Sequence, residues 1–291
     1  MAIAARRDLS LSTLLTLGRV SNLPTVWTNV VAGTVLAGGA WQGGRVAAVL
    51  AAASLFYLGG MYLNDYFDRA IDARERPGRP IPAGDVSAGL VAAIGSGLLA
   101  AGVAVLLPTG IAATVIGLAL VGLILAYDRF HKGNPVSPIM MGACRMLVYF
   151  AAAAAATGDV PGPVVSAGLA LLAYVAGLTY AARQESLDRI GNLWPLLVLS
   201  APMLLVMPAV AGEPWATPIY LMLIGWTAFA VYQLARRPAP GAVPRAVGTL
   251  IAGISLVDAA FMASVGAMVP ALIAVVGFGA TIVLQKHIAG T

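Results

Sequence analysis

Asn64, Asp68 and Asp72 stand four residues apart, with Asp65 beside the first of them. On a helix each step advances about 400°, so the three side chains line one stripe. A stripe of hard oxygen ligands can hold a divalent cation, and that cation can hold a phosphate. The acids follow directly on a long apolar run, where they are expensive to keep unless something cationic binds them. A magnesium and diphosphate site at a membrane surface is therefore the chemistry to expect. A solvated helix end whose acids balance Arg69 and Arg74 is the plainer alternative.

Arg76-Pro77-Gly78-Arg79-Pro80-Ile81-Pro82-Ala83-Gly84 comes next. Its prolines forbid a continuous helix and favour a short extended turn. From that turn the guanidinium groups of Arg76 and Arg79 can close over a metal-held diphosphate. In Asp128-Arg129-Phe130-His131-Lys132, Lys132 is the candidate for a further diphosphate-facing cation. His131 reads as a surface residue, because it has no partner at metal-binding spacing.

The elements that position these groups are apolar helices. Of 291 residues 60% are hydrophobic and 10% charged, against about a quarter charged in soluble domains. Mean hydropathy is +0.89. The chain reads as an all-α integral membrane protein, one polytopic domain over residues 1–291 with acidic motif loops at 64–84 and 180–192. Apolar segments lie near 20–40, 45–63, 88–107, 110–127, 138–157, 163–182, 194–211, 216–235, 246–266 and 269–286. Each is close to the roughly 20 residues that cross a bilayer as a helix. The last two are separated by a short Gly/Pro stretch and could be one span plus an interfacial helix, so nine or ten helices are expected around a central cavity. No small-residue cleavage site follows the first run, so no removable signal peptide is read there.

Basic residues follow the even-numbered segments: Arg69, Arg74, Arg76 and Arg79, then Arg129 and Lys132, Arg183 and Arg189, Arg236, Arg237 and Arg245, and Lys286. With Arg6 and Arg7 ahead of the first segment, the positive-inside rule puts both termini and the motif loops in the cytoplasm, of a plasma or inner membrane. The net charge of +5 is thus accounted for by orientation. The basic residues form no block, and no nucleic-acid partner is expected. The tryptophans read as interfacial anchors, and the lone Cys144 as a core residue.

Arg145 and Asp258 lie inside spans, where the membrane interior penalises charge. Both could bond neighbouring helices, or both could face a polar central cavity, with Arg145 on a diphosphate or an acidic acceptor. A direct Arg145–Asp258 pair is one arrangement open to them.

The run Asn64-x-x-x-Asp68-x-x-x-Asp72, trailed by Arg79-Pro80-Ile81-Pro82-Ala83-Gly84, resembles the first aspartate-rich motif of the UbiA-type intramembrane prenyltransferases. Arg19-Val20-Ser21-Asn22-Leu23-Pro24-Thr25 resembles the stretch leading their first span, and Tyr127, Lys132, Gly133 and Asn134 resemble their basic loop. The resemblance implies a helical bundle, usually of nine spans. It implies Mg2+ and an isoprenyl diphosphate bound at two acidic motifs, and prenyl transfer to an aromatic or other lipophilic acceptor among the membrane lipids. It also gives roles to residues. Asp68, Asp72 and Asp188 would serve catalysis through the metal. Asn64, Asp68, Asp72, Gln184, Glu185 and Asp188 would surround it. Arg76, Arg79, Lys132 and Arg145 would contact diphosphate, and Arg19, Asn22 and Asn29 the acceptor. The second motif departs from the usual Asp-x-x-x-Asp. Matching Leu187-Asp188 to Ile71-Asp72 sets Gln184 opposite Asp68 and Tyr180 opposite Asn64. An amide has replaced one carboxylate there, with Glu185 adjacent. A secondary transporter with polar groups at the midplane, or a homologue with altered chemistry, are the competing classes.

Overall fold

The computed structural model describes residues 10–184, 191–210, 212–237, 239–288 and 290. Among the described residues eleven α-helices run α1 Leu11–Leu17, α2 Leu23–Leu36, α3 Gly44–Glu75, α4 Ala88–Leu106, α5 Ile111–Phe130, α6 Ser137–Thr157, α7 Gly162–Ala182, α8 Ala201–Val210, α9 Thr217–Arg236, α10 Ala242–Ser264 and α11 Met268–Gln285. No strand occurs among the described residues. Their starts follow local chemistry. Ser87 accepts the Leu90 N–H at 3.3 Å to cap α4, and α2, α6, α7 and α9 carry proline in the first turn, where its missing N–H costs no helical bond.

Among the described residues eight helices are long and apolar enough to cross a membrane. The final two expected segments are separate helices, α10 and α11, each of spanning length. Two expected spans are altered. The first, expected near 20–40, opens with a 3-10 turn over Val20–Asn22 after a left-handed Arg19 (φ 41°, ψ 47°) and ends at Leu36, leaving α2 14 residues long. The seventh begins as a 3-10 helix over Trp194–Ser200 before becoming α8.

Helix α2 sits between α3, α6, α10 and α11 and joins two apolar cores. One core gathers α3, α4, α5 and part of α6; the other gathers α7 to α10 with faces of α6 and α11. Small residues allow the close approaches that membrane helices depend on. A Cβ on Gly59 of α3 would stand 2.9 Å from the Gly95 carbonyl of α4. Outward faces carry Leu118, Leu169, Leu221 and Val276 exposed, the reverse of a water-soluble surface and suited to lipid.

Two of the tryptophans lie inside helices. Trp226 lies within α9, donates to the Thr249 carbonyl at 2.7 Å and meets Phe278 edge-on. Trp27, inside α2, donates to Ser54 at 2.9 Å.

Candidate functional site

Helix α3 has 32 residues and so runs about 48 Å, well beyond an apolar thickness of about 30 Å. Its surplus turns carry Asn64, Asp65, Asp68 and Asp72. These residues are helical rather than in a loop, and all four are buried. The stripe faces a cavity of about 240 Å³. Asn64, Asp68 and Asp72 form one side of it, and Arg19, Arg76, Arg79, Lys132 and Arg145 bring positive charge to the same space.

The turn after α3 is folded, not extended. Arg79 N–H bonds the Arg76 carbonyl at 2.9 Å, Ala83 N–H the Arg79 carbonyl at 2.9 Å, and Asp85 N–H the Pro80 carbonyl at 3.0 Å. Gly84 takes the positive φ of 78° that closes it. Ile81 packs against the small core of Leu17, Tyr62, Val86 and Val91, which fixes Arg79 over the acids. Burial, and then the like charges of Arg19 and Arg76, lower the pKa of Arg79. Asp65 binds Arg19 at 3.1 Å and lies 3.9 Å from Arg79. It therefore anchors the basic groups and does not line the cavity.

Asp68 is met by Lys132 Nζ at 3.2 Å and His131 Nε2 at 3.4 Å. His131 is thus a cavity-lining partner of the motif and not a surface residue; its ring stacks on Tyr127. The Asp72 carboxylate makes no hydrogen bond or ion pair within 4 Å among the described residues, although it lines the cavity. Two carboxylates in register, one open and one met by displaceable cations, fit a magnesium ion that takes its other ligands from phosphate. Among the described residues no three metal-binding side chains already converge.

Asn64 turns its amide N–H toward Asp128 Oδ1 at 3.4 Å. Asp128 is 4% exposed and its Oδ2 has no partner among the described residues. Sequence reading missed this acid, because it looks like one more charge in a basic loop. Asp128 instead lines a second cavity, of about 80 Å³, that continues from the first. Both cavities share Tyr57, Met61, Tyr127, Met141 and Arg145. The second is otherwise mostly apolar, with Ala53, Phe56, Leu120 and Val148 in its wall. On α3 these residues lie up to about three turns deeper than Asn64.

The remaining expected residues separate into two groups. Arg19 and Asn22 line the first cavity, and Asn22 donates to the Gly290 carbonyl at 2.8 Å. Asn29 lines neither cavity. Its side chain lies between Arg145 and Asp258, accepting from Arg145 at 2.9 Å and donating to both Asp258 oxygens at 2.9 and 2.8 Å. Arg145 and Asp258 are therefore linked through an amide and not paired directly. In the second motif, Gln184 accepts the Gly191 N–H at 2.8 Å, so its oxygen is taken by a backbone group, and it is Arg183 that lines the cavity. Tyr180 donates to the Asn192 carbonyl at 2.9 Å. Glu185 and Asp188 lie outside the described residues.

The chain is similar to known proteins in sequence and in fold. The digeranylgeranylglyceryl phosphate synthase of Methanopyrus kandleri is 33% identical over 171 residues, 56% of this chain and 59% of that protein. The chain thus spans under two thirds of that relative. The synthase of the same name from Halobacterium salinarum strain R1 is 33% identical over 211 residues, 67% of this chain and 73% of that one. Two solved structures share the fold. A UbiA homologue from Aeropyrum pernix K1 has a TM-score of 0.56 at 19% identity, covering 92% of this chain and 98% of that one. A UbiA homologue from Archaeoglobus fulgidus, bound to GPP and Mg2+, has a TM-score of 0.53 at 13% identity, covering 94% and 99%. Residues 25–254 match the UbiA prenyltransferase family, and the chain belongs to that family.

Proposed function

We propose that this protein transfers a prenyl group from an isoprenyl diphosphate to a lipophilic acceptor within the bilayer. The observation that carries the reading is the pair of joined cavities, one lined by Asp68, Asp72 and six arginine or lysine side chains, the other largely apolar. The first suits a diphosphate by its charge, and the second opens an apolar path for the start of its isoprenoid tail. In the reaction the allylic carbon–oxygen bond breaks and its electron pair leaves with the diphosphate. The acceptor attacks the allylic carbon and gives up a proton. Magnesium held by Asp68 and Asp72 would supply Lewis-acid charge to the leaving group. Lys132, Arg76 and Arg79 bind and orient the phosphates, and the apolar walls keep water from the allylic cation.

The acceptor would lie along the facing wall, where Val175, Leu178, Val247 and Ile251 offer apolar surface and Arg183 a cation at the rim. The synthases similar to this chain are named for a glyceryl phosphate product, which favours a lipid bearing phosphate over an aromatic ring. The positive-inside rule supports a cytoplasmic location for this charged face.

The test is equilibrium binding of a radiolabelled isoprenyl diphosphate to purified protein in detergent, followed by turnover with a glycerophosphate ether lipid or an aromatic acceptor. Saturable, magnesium-dependent binding that Asp68→Ala abolishes is the expected result. Binding indifferent to both magnesium and Asp68 would sink the reading. Binding without turnover on any acceptor would favour the altered homologue.

A further inference from the structure

We infer that Asp258, acting through Asn29, is a positioning residue. It fixes the Arg145 guanidinium at the junction of the two cavities, where the donor's carbon–oxygen bond would break. The inference rests on the prenyl-transfer reading above.

The relay draws on three helices. Arg145, on α6, donates to Asn29 Oδ1 at 2.9 Å and to Thr25 Oγ1 at 3.1 Å, both on α2. Asn29 donates to both oxygens of Asp258 on α10, at 2.9 and 2.8 Å. Tyr149, one turn beyond Arg145, donates to Asp258 Oδ1 at 2.5 Å. Asn29, Tyr149 and Asp258 are each 0% exposed, whereas Arg145 lines both cavities. The polar chain therefore begins in the closed core and ends at one group that a ligand can reach.

The amide between the two charges is the informative part. A carboxylate placed directly on the guanidinium would satisfy its charge and compete with any anionic ligand. Set back behind Asn29, Asp258 balances the buried charge and orients the fork, while the cavity side of Arg145 stays open. Apolar residues would hold three helices together at lower cost, since buried charge is expensive and often adds no stability. A cation held in place before reaction acts most strongly where charge develops. Here that is on the oxygen leaving the allylic carbon. The binding of the intact donor leans instead on Lys132, Arg76 and Arg79, so the relay acts on turnover more than on affinity.

The experiment compares wild type, Asp258→Asn, Tyr149→Phe, Arg145→Met and the Arg145→Met/Asp258→Asn double variant, measuring kcat with donor and acceptor and, separately, donor Kd without acceptor. We expect Asp258→Asn to lower kcat about tenfold or more while donor Kd moves less than about threefold. The double variant should be no slower than Arg145→Met alone. Multiplicative losses, or a folded Asp258→Asn with wild-type kcat, overturn the relay. Tyr149→Phe leaves Asn29 and Asp258 in place and carries the test if Asp258→Asn does not fold: a lower kcat at unchanged Kd is expected, and an unchanged kcat overturns it. Wild-type protein that binds no donor overturns the prenyl-transfer reading and the relay with it. Wild-type turnover with indifferent variants overturns the relay alone.

Discussion

Lys132 Nζ stands 3.2 Å from Asp68 Oδ2, so the cation proposed for diphosphate and the carboxylate proposed for magnesium neutralise each other before either ligand arrives. This pairing gives Lys132→Met effects of opposite sign on the two ligands. With the ammonium gone, Asp68 keeps only the His131 contact at 3.4 Å, and Mn2+ used as a reporter for magnesium should bind the protein alone more tightly. Isoprenyl diphosphate should bind about tenfold more weakly, the scale of one charge-assisted contact. Electron paramagnetic resonance of free Mn2+ and donor-binding isotherms measure the two separately. A loss in both would mean that Lys132 supports the fold and not the ligands.

The apolar cavity predicts how the protein selects donor length. Val148 lines its wall on α6, three residues, or nearly one turn, beyond Arg145. Val148→Phe fills space that only the distal isoprene units of a donor would need. A twenty-carbon donor should lose about tenfold or more in kcat/KM, within the 1–3 kcal/mol that overfilling a packed site costs. A five-carbon donor should be nearly unaffected. Equal losses for both donors would place the tail elsewhere.

Legibility from sequence followed distance along the chain. The Asn64, Asp68, Asp72 stripe is a local helical period, and it emerges in the structure as one buried face of α3. The apolar runs were legible for the same reason. The break at Arg19 was not, because it depends on a left-handed backbone held by its surroundings: Tyr57 donates to the Arg19 carbonyl at 3.2 Å and Asp65 takes its side chain. Asp128 was overlooked because its burial comes from α3 packing on α5. The link between Asn29 and Asp258 spans 229 positions, and no periodicity connects them.

Gly33 illustrates how closely packing guards that link. A Cβ at Gly33 would stand 2.6 Å from the Tyr149 carbonyl, a backbone atom that cannot swing aside. Gly33→Ala should therefore push α2 away from α6 and destabilise the protein by about 1–3 kcal/mol, read as a lower unfolding midpoint in detergent. Gly97 has open space where its Cβ would be, and Gly97→Ala in α4 should leave the midpoint unchanged or raise it, since alanine is the better helix former. Equal effects at the two positions would argue against a tight α2–α6 contact.

Gln184 separates two accounts of the second motif. If the amide is a weakened metal ligand, Gln184→Asp restores a carboxylate and should tighten magnesium dependence. Its Oε1 instead accepts the Gly191 N–H at 2.8 Å, and the side chain is absent from the cavity wall that Asp68, Asp72 and Arg183 share. An aspartate is one methylene shorter and would lose that bond to the Gly191 backbone. The expected result is an unchanged magnesium concentration for half-maximal donor binding, together with faster proteolytic cleavage near Gly191. A lower magnesium requirement in Gln184→Asp would return Gln184 to the metal site and show that one first-motif ion is not the whole of the metal chemistry.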